Sequence, residues 1–299
     1  TCEARYFIAD YHALNACKDP VELKKMTVEI ASAWLACGLD PQKTLFYRQS
    51  DVPETFELLT ILMAFTPKGL MNRAHAYKAM VQNNLEANKD PDDGVNMGLF
   101  TYPVLMAADI LLFDTDFVPV GTDQFQHIEM AQDIAQSFNY VYKTQALKIP
   151  QPIAQEDTKT VVGLDGRKMS KSYNNTIPMF CTEKELKKLI MSIVTNSQTI
   201  EEPKDPDTSN IFALYKNFAT PEQVENMRAR YLKGGLGWGQ AKQELFEVIN
   251  AELKPIRERY YYWMNHQEDI WNALKEGSQK ARLLASQKIA QLRKLIGID

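Results

Sequence analysis

The chain lacks most of what would mark a secreted, membrane-spanning or zinc-carrying protein. Its four cysteines, Cys2, Cys17, Cys37 and Cys181, are scattered and form no CxxC pair. That argues against a structural zinc site and for free thiols in a reducing, cytoplasmic setting. No apolar run approaches the roughly 20 residues of a membrane span. The opening Thr1-Cys2-Glu3-Ala4-Arg5 has no signal-peptide character and no initiator Met. Basic residues are not in excess: 34 Lys and Arg stand against 38 Asp and Glu, a net charge of -4. A nucleic-acid partner would therefore have to be met by local basic patches, not by a general positive field. Internal repeats and low-complexity tracts are also missing. What is present is an ordinary globular composition, 45% hydrophobic and 24% charged over 299 residues, enough for two domains.

The first half alternates strand and helix. Tyr6 to Ala9 reads as a short buried strand leading into a polar turn, Asp10-Tyr11-His12. Helical spacing runs from Asp19-Pro20 to Cys37, with Gly38 as its stop. Thr44 to Tyr47 is the next strand, and a helical stretch from Pro53-Glu54 to about Asn84 breaks at Pro67-Lys68-Gly69. A polar loop follows at residues 89–94; then come a helix from Pro103 to Phe113, a strand from Phe117 to Val120 and a helix from Asp123 to Phe138. This order is the grammar of a parallel α/β sheet of Rossmann-like type. From Thr182 onward the chain reads as helices, the last over Ser278 to Leu295. The expected organisation is a Rossmann-like catalytic domain over 1–181 followed by an all-helical domain over 182–299.

Three segments carry chemistry. Lys168-Met169-Ser170-Lys171-Ser172, preceded by Gly163-Leu164-Asp165-Gly166-Arg167, is a loop bearing three cations. It suits the charge that develops when a nucleoside triphosphate loses pyrophosphate; a solvated surface loop is the plainer alternative. In Thr101 to Leu112, Asp109 stands in an otherwise apolar helix, one turn beyond Met106 and two beyond Tyr102, so the three share a face. A carboxylate there needs a donated hydrogen bond, which an indole N–H can supply and a phenyl ring cannot. A cap or an ion pair formed elsewhere is the competing use. Val118 to His127 is a strand end, a turn at Gly121 and a helix start with Asp123 and Gln124 at its mouth. That is the place where α/β folds bind nucleotides and small substrates; Asp123 also suits a helix cap. His127 reads as structural.

Taken together, the Met106-Ala107-Ala108-Asp109-Ile110-Leu111 helix, the Gly121-Thr122-Asp123-Gln124 turn and the Lys168–Ser172 loop resemble the bacterial tryptophanyl-tRNA synthetases of class I. The likeness runs from the Asp10-Tyr11-His12 turn to the C-terminal helix. Tyrosine-specific relatives share the fold and the lysine loop but lack the Met-Ala-Ala-Asp helix. The resemblance implies that Asp109 recognises the indole nitrogen, with Tyr102, Met106, Val118 and Val120 around it and with Gln124 and His12 at the amino-acid end. It implies ATP binding by Lys168, Met169, Ser170, Lys171, Ser172, Gly121 and Asp123. Lys168, Lys171 and Lys78 would act on the phosphates together with Mg²⁺, and no residue is assigned as a metal ligand. Departures are Gln132, where the family commonly has Arg, and Phe125, where Lys is frequent. The family's first strand and its glycine-containing ATP signature have no counterpart before Tyr6.

The implied reaction is activation of L-tryptophan by ATP and transfer of the tryptophanyl group to tRNA(Trp). No protein nucleophile is needed, because catalysis is positioning and charge neutralisation. The helical part would read the anticodon through Lys184, Lys187 and Lys188 and through Lys280, Arg282, Lys288, Arg293 and Lys294. Tyr260-Tyr261-Tyr262-Trp263 reads as core packing. A homodimer is implied, with the apolar helix from Leu58 to Phe65 as its contact, and no membrane association. A catalytically inactive paralogue binding tryptophan or tRNA, and another nucleotidyl transferase of the same fold, are the alternatives.

Overall fold

The structure, a computed structural model, describes residues 3–154 and 161–298; Cys2 lies outside them. Its two compact units are Thr1–Ala31 with Leu39–Glu156 and His266–Asp299, and Ser32–Gly38 with Asp157–Asn265.

In the first unit β1 (Arg5–Ile8) pairs in parallel with β2 (Leu45–Arg48), Arg5 opposite Leu45 and Ile8 opposite Arg48. Parallel strands need a long crossover, here α1 (Asp10–Ala13) and α2 (Pro20–Ala36). Asp10 to His12 thus forms a one-turn helix, not merely a turn. Asp19 caps α2 by accepting from Val21 N and Glu22 N at 2.8 and 3.1 Å, and Pro20 supplies the preset first φ. Next come α3 (Glu54–Met63), α4 (Lys68–Met71), α5 (His75–Glu86) and α6 (Met97–Leu111), then β3 (Phe117–Val120), α7 (Phe125–Tyr142) and β4 (Gln151–Ala154). β3 and β4 form a second parallel pair.

Two elements differ from the sequence expectation. α6 begins at Met97, six residues before Pro103, because Asn96 caps it by accepting from Leu99 N at 2.9 Å. Pro103 removes one rung of the helix ladder, but its ring is buried on the apolar face. β4 had no counterpart in the sequence reading. Pro152 inside a four-residue strand hides its character, and it is tolerated because, among the described residues, β4 pairs with β3 alone.

The second unit is built by α8 (Glu183–Met191), α9 (Asn210–Tyr215), α10 (Pro221–Lys233) and α11 (Trp238–Asn265). Thr182 with Glu185 and Thr220 with Gln223 form reciprocal capping boxes at the starts of α8 and α10. Their apolar faces enclose Leu186, Ile190, Phe212, Tyr231, Leu245 and Ile249, all fully buried. Val162, Leu164, Met169 and Ile177 pack on this same core, so the lysine loop belongs to the helical unit. The buried stripe of α11 runs Ala241, Leu245, Ile249, Leu253, Arg257 and ends before Tyr260. The expected core role for 260–263 is therefore corrected: Tyr261 and Tyr262 are exposed, and Tyr260 stacks on Phe180 with ring centroids 4.0 Å apart.

The last helix, α12 (Gln267–Ile296), returns to the first unit and packs on β2 and α3. A boundary at 182 thus differs from the observed division at both ends. Helical periodicity shows that a helix has an apolar face but not which core that face joins. The basic cluster expected on α12 is also largely committed within the unit. Lys288 is buried and donates to Asp114 and to the Ala146 carbonyl; Arg282 pairs with Glu54 at 3.2 Å and Arg293 with Glu57 at 2.5 Å. Only Lys280 and Lys294 are left exposed without such a pair among the described residues. In α3, Leu58, Ile61 and Leu62 are buried in the unit's own core, which removes most of the apolar face expected to make a dimer contact. No described helix is long and apolar enough to cross a membrane.

α12 approaches β2 so closely that a Cβ at Gly277 would overlap the Phe46 carbonyl. Neither partner is a flexible side chain end, so the backbone itself would have to move. Gly277→Ala is expected to lower unfolding free energy by about 3 kcal/mol or more in urea titration. Lys280→Ala, on the exposed face of the same helix, should stay within about 0.5 kcal/mol.

Candidate active site

The parallel register of β1 and β2 brings their C-terminal ends together, and both chains then turn toward α6. The chain leaving β1 forms α1, which carries His12; the chain leaving β2 makes a 3-10 turn that starts at Gln49. Asp109, buried on α6, meets both. The Gln49 amide nitrogen donates to its Oδ1 and Oδ2 at 3.0 and 2.9 Å, and His12 Nε2 lies 3.0 Å from Oδ2. Gln49 is itself fully buried, and its Oε1 accepts from Tyr11 N at 3.2 Å. Asp10 fastens the same corner by accepting from Ser50 N at 3.0 Å and from the Ser50 hydroxyl.

Burial pushes the Asp109 carboxyl above the usual range, opposed by the bonds from His12 and then Gln49. With one amide donating to both oxygens, the group that fits this cage is the carboxylate, an acceptor only, so His12 Nε2 carries the proton. Each carboxylate oxygen has two lone pairs. Oδ2 receives two bonds and Oδ1 receives one, which leaves Oδ1 able to accept one further N–H.

A second network lies alongside. The Tyr102 hydroxyl is 2.7 Å from His127 Nε2, His127 Nδ1 is 2.7 Å from Gln124 Oε1, and Gln124 Nε2 donates to Asp123 Oδ2 at 3.1 Å. The amide oxygen can only accept, so Nδ1 is protonated and Nε2 accepts from tyrosine. Burial lowers the His127 pKa, with His75 adding to the effect, and the neutral ring holds the helix start in place. The His12 and Tyr102 rings meet edge to face at 6.5 Å between centroids, linking the two networks. A side chain at Gly121 would come within 2.7 Å of Asp123 Oδ1, so glycine there lets the carboxylate fold back over the strand end.

Of the residues singled out in the sequence, the structure joins Asp109 to His12 directly. It joins Tyr102, Gln124 and Asp123 through His127. Met106, Val118 and Val120 are half-buried in the same unit. Lys78 is exposed in the first turn of α5 and has no ion pair among the described residues. Gln132, which stands where the family commonly has Arg, donates to the Pro150 carbonyl at 2.8 Å. Gln49 escaped the sequence reading. Its one signal was an amide placed directly after the strand Leu45-Phe46-Tyr47-Arg48.

The lysine segment, within the helical unit, forms a hairpin. Val162 and Lys168 pair as an antiparallel bridge, Met169 N donates to Val161 O at 2.8 Å, and Lys171–Tyr173 make a 3-10 turn. Lys168 and Lys171 are exposed, and among the described residues neither ammonium has an ion-pair or hydrogen-bond partner. Arg167 is committed: it pairs with Asp165 at 2.6 Å and lies 4.4 Å from the Tyr173 ring centre.

A parallel α/β unit with a buried, donor-held carboxylate and a separate helical unit, whose Lys168 and Lys171 are unpaired among the described residues, fit the class I aminoacyl-tRNA synthetases. The chain belongs to the family tRNA synthetases class I (W and Y), whose model matches residues 1–254. It is 51% identical to the tryptophan–tRNA ligase of Pseudomonas aeruginosa over 295 residues, 98% of this chain and 66% of that protein. It is also 51% identical to that of Xylella fastidiosa over 297 residues, 99% of this chain and 68% of that one. The chain thus spans just under two thirds of the Pseudomonas relative's length. Among solved structures it is similar to the tryptophanyl-tRNA synthetase of Campylobacter jejuni complexed with ADP and tryptophan. The TM-score is 0.89 and the identity 45%, over 97% of this chain and 88% of that one.

The lowered His127 pKa has a definite sign. The unfolded ring binds a proton below about 6.5 while the folded ring resists it. The stability that comes from keeping it neutral is present above that pH and is lost as pH falls toward the folded value. Thermal melting from pH 7.5 to 5 should show a decline that is smaller in His127→Gln, and the folded ring should titrate below 6.5 by NMR.

Proposed function

We propose that this chain carries the tryptophan-activating and tRNA-charging function of a tryptophan–tRNA ligase. One observation carries the proposal most: Asp109 is buried, held as a carboxylate by Gln49 and His12, and retains one open lone pair on Oδ1. An indole N–H is a single donor on an otherwise apolar group and matches that acceptor, with Tyr102, Met106, Val118 and Val120 as its surroundings. A phenyl side chain would leave the acceptor unsatisfied, and a site built around a buried polar partner discriminates strongly against ligands that lack it.

The reaction proceeds by attack of the tryptophan carboxylate oxygen on the α-phosphorus of ATP. The bond to the bridging oxygen breaks, pyrophosphate leaves and tryptophanyl-adenylate forms. The terminal ribose hydroxyl of tRNA(Trp) then attacks the acyl carbon, and AMP leaves. Gln124 and His12 orient the amino-acid end, and Gly121 and Asp123 lie at the nucleotide end. Lys168 and Lys171, with Met169, Ser170 and Ser172, take up charge on the departing phosphates, and Lys78 is the first unit's own candidate for phosphate charge. These lysines are suited to that task because no acidic partner among the described residues neutralises them. Mg²⁺ would add charge neutralisation from the phosphates themselves. Mg²⁺ usually prefers phosphate oxygens and water to an all-protein cage.

The helical unit would bear on the tRNA through Lys184, Lys187 and Lys188, all exposed on α8. A homodimer remains part of the proposal, its contact outside the buried face of α3. Unpaired thiols at Cys17, Cys37 and Cys181 accord with a cytoplasmic setting.

Exchange of labelled pyrophosphate into ATP tests the reading in the full-length protein. Tryptophan should support exchange, while phenylalanine and tyrosine should not. Activity with another amino acid and none with tryptophan would overturn the assignment. Asp109→Asn should reduce kcat/KM for tryptophan by about a hundredfold, since an amide in that cage sets its own donor against Gln49. Lys171→Ala should lower the exchange rate far more than it weakens tryptophan binding; equal losses in both would rule out a transition-state role.

A further inference from the structure

Asn175 is a buried, hydrogen-bonded side chain of the lysine hairpin. It is 2% exposed and lies between the hairpin's two arms. Its Oδ1 accepts from Ser170 N at 2.8 Å, while Nδ2 donates to the Lys168 carbonyl at 3.1 Å and to Asp165 Oδ1 at 2.7 Å. Its own carbonyl accepts from Leu164 N at 3.0 Å. The residue before it, Asn174, has φ +51°, which turns the chain back beneath the loop. A single amide therefore grips the backbone on both sides of Met169, at Lys168 and at Ser170. Lys171 leaves directly from the second grip.

We propose that Asn175 is a positioning residue for Lys168 and Lys171: it sets the backbone from which both ammonium groups reach the phosphates. The proposal rests on the reading of these lysines as the groups that meet pyrophosphate. Each lysine is a point charge on a flexible four-carbon stem with no partner for its tip among the described residues, so its placement is determined where its backbone is held. Proximity effects in catalysis are steep in such geometry. The stability effect should be small by comparison. Val162, Leu164, Met169 and Ile177 hold the hairpin on the helical core independently of Asn175. Lys168 is exposed and Ser170 half-exposed, so water can take over their freed backbone groups.

The test is a double-mutant cycle in the full-length protein, read by tryptophan-dependent pyrophosphate exchange. Asn175→Ala should lower kcat about 30-fold, with KM for tryptophan and the melting temperature little changed. In a background that lacks both side chains, Lys168→Ala with Lys171→Ala, the same substitution should cost less than threefold, because it acts through those two lysines. An additive effect, or a loss confined to tryptophan KM, would overturn the proposal. Two further variants address the case in which Asn175→Ala folds poorly. Gly163→Ala drives a Cβ into the Asn175 amide without removing it and should reproduce the kcat loss. Asn175→Asp sets two carboxylates against each other at Asp165; adding Asp165→Asn restores a donor to that contact and should recover at least threefold of the lost kcat. If the unaltered protein supports no exchange with any amino acid, the ligase reading itself fails. Calorimetric binding of magnesium pyrophosphate then decides on Asn175 alone: a fivefold or greater weakening in Asn175→Ala upholds its positioning role, and unchanged binding refutes it.

Discussion

A carboxylate buried in an apolar helix is the constraint around which the first unit is organised. Asp109 is tolerable only if donors reach it, and those donors come from the segments that follow two strands far away in the chain. Gln49 and His12 arrive at the same carboxylate because β1 and β2 pair in parallel and end side by side. The pairing requires a helical crossover, which α2 supplies. It also requires the outer face of β2 to be covered, which α12 does at backbone contact through Gly277. A one-residue slip between the strands would move Gln49 away from the carboxylate and leave a buried charge short of partners. The register of the sheet and the satisfaction of the Asp109 carboxylate are thus the same requirement, met by the same residues.

The second unit obeys a different economy. Its core is a set of capped helices, and the lysine hairpin is an appendage anchored by four partly buried apolar side chains. The hairpin's charges divide cleanly. Arg167 is neutralised by Asp165 and stacked on Tyr173, and the Asp165 carboxyl is held down at about 2, first by the bond from Asn175 and then by Arg167. Lys168 and Lys171 have no ion-pair partner among the described residues. A loop that satisfies its structural charge internally and leaves two others free is suited to meet an anion without first breaking its own ion pairs.

Much of this was legible in the chain. The lysine word, the Gly121 turn and an aspartate at helical spacing from Met106 and Tyr102 are local signals, and they sit outside the regular helices and strands, at a strand end and on a buried helix face; that the lysine loop forms a hairpin was not legible. Other features were not legible because they depend on which surfaces meet. Lys288 and Arg293 look like an exposed basic face until α12 is seen to pack on β2, with Lys288 under Ala146 and Asp114. Tyr260 to Trp263 look like core until the stripe of α11 is seen to stop at Arg257. β4 is masked by its own proline. Gln49 is an unremarkable glutamine in sequence, and only its burial against Asp109 shows its use.

The sequence by itself determined the alternation of strand and helix in the first half, the helical character of the second, and the presence of a cationic loop and of a carboxylate within an apolar helix. These follow from backbone preference, apolar periodicity and side-chain chemistry, all short-range properties. Only the tertiary structure decided that the final helix belongs to the first unit and that the lysine loop belongs to the second. It alone decided, too, that Gln49 and His12 hold Asp109 ready while Asn175 holds the loop. Those outcomes depend on contacts between residues tens to hundreds of positions apart, which close packing selects and no local pattern encodes.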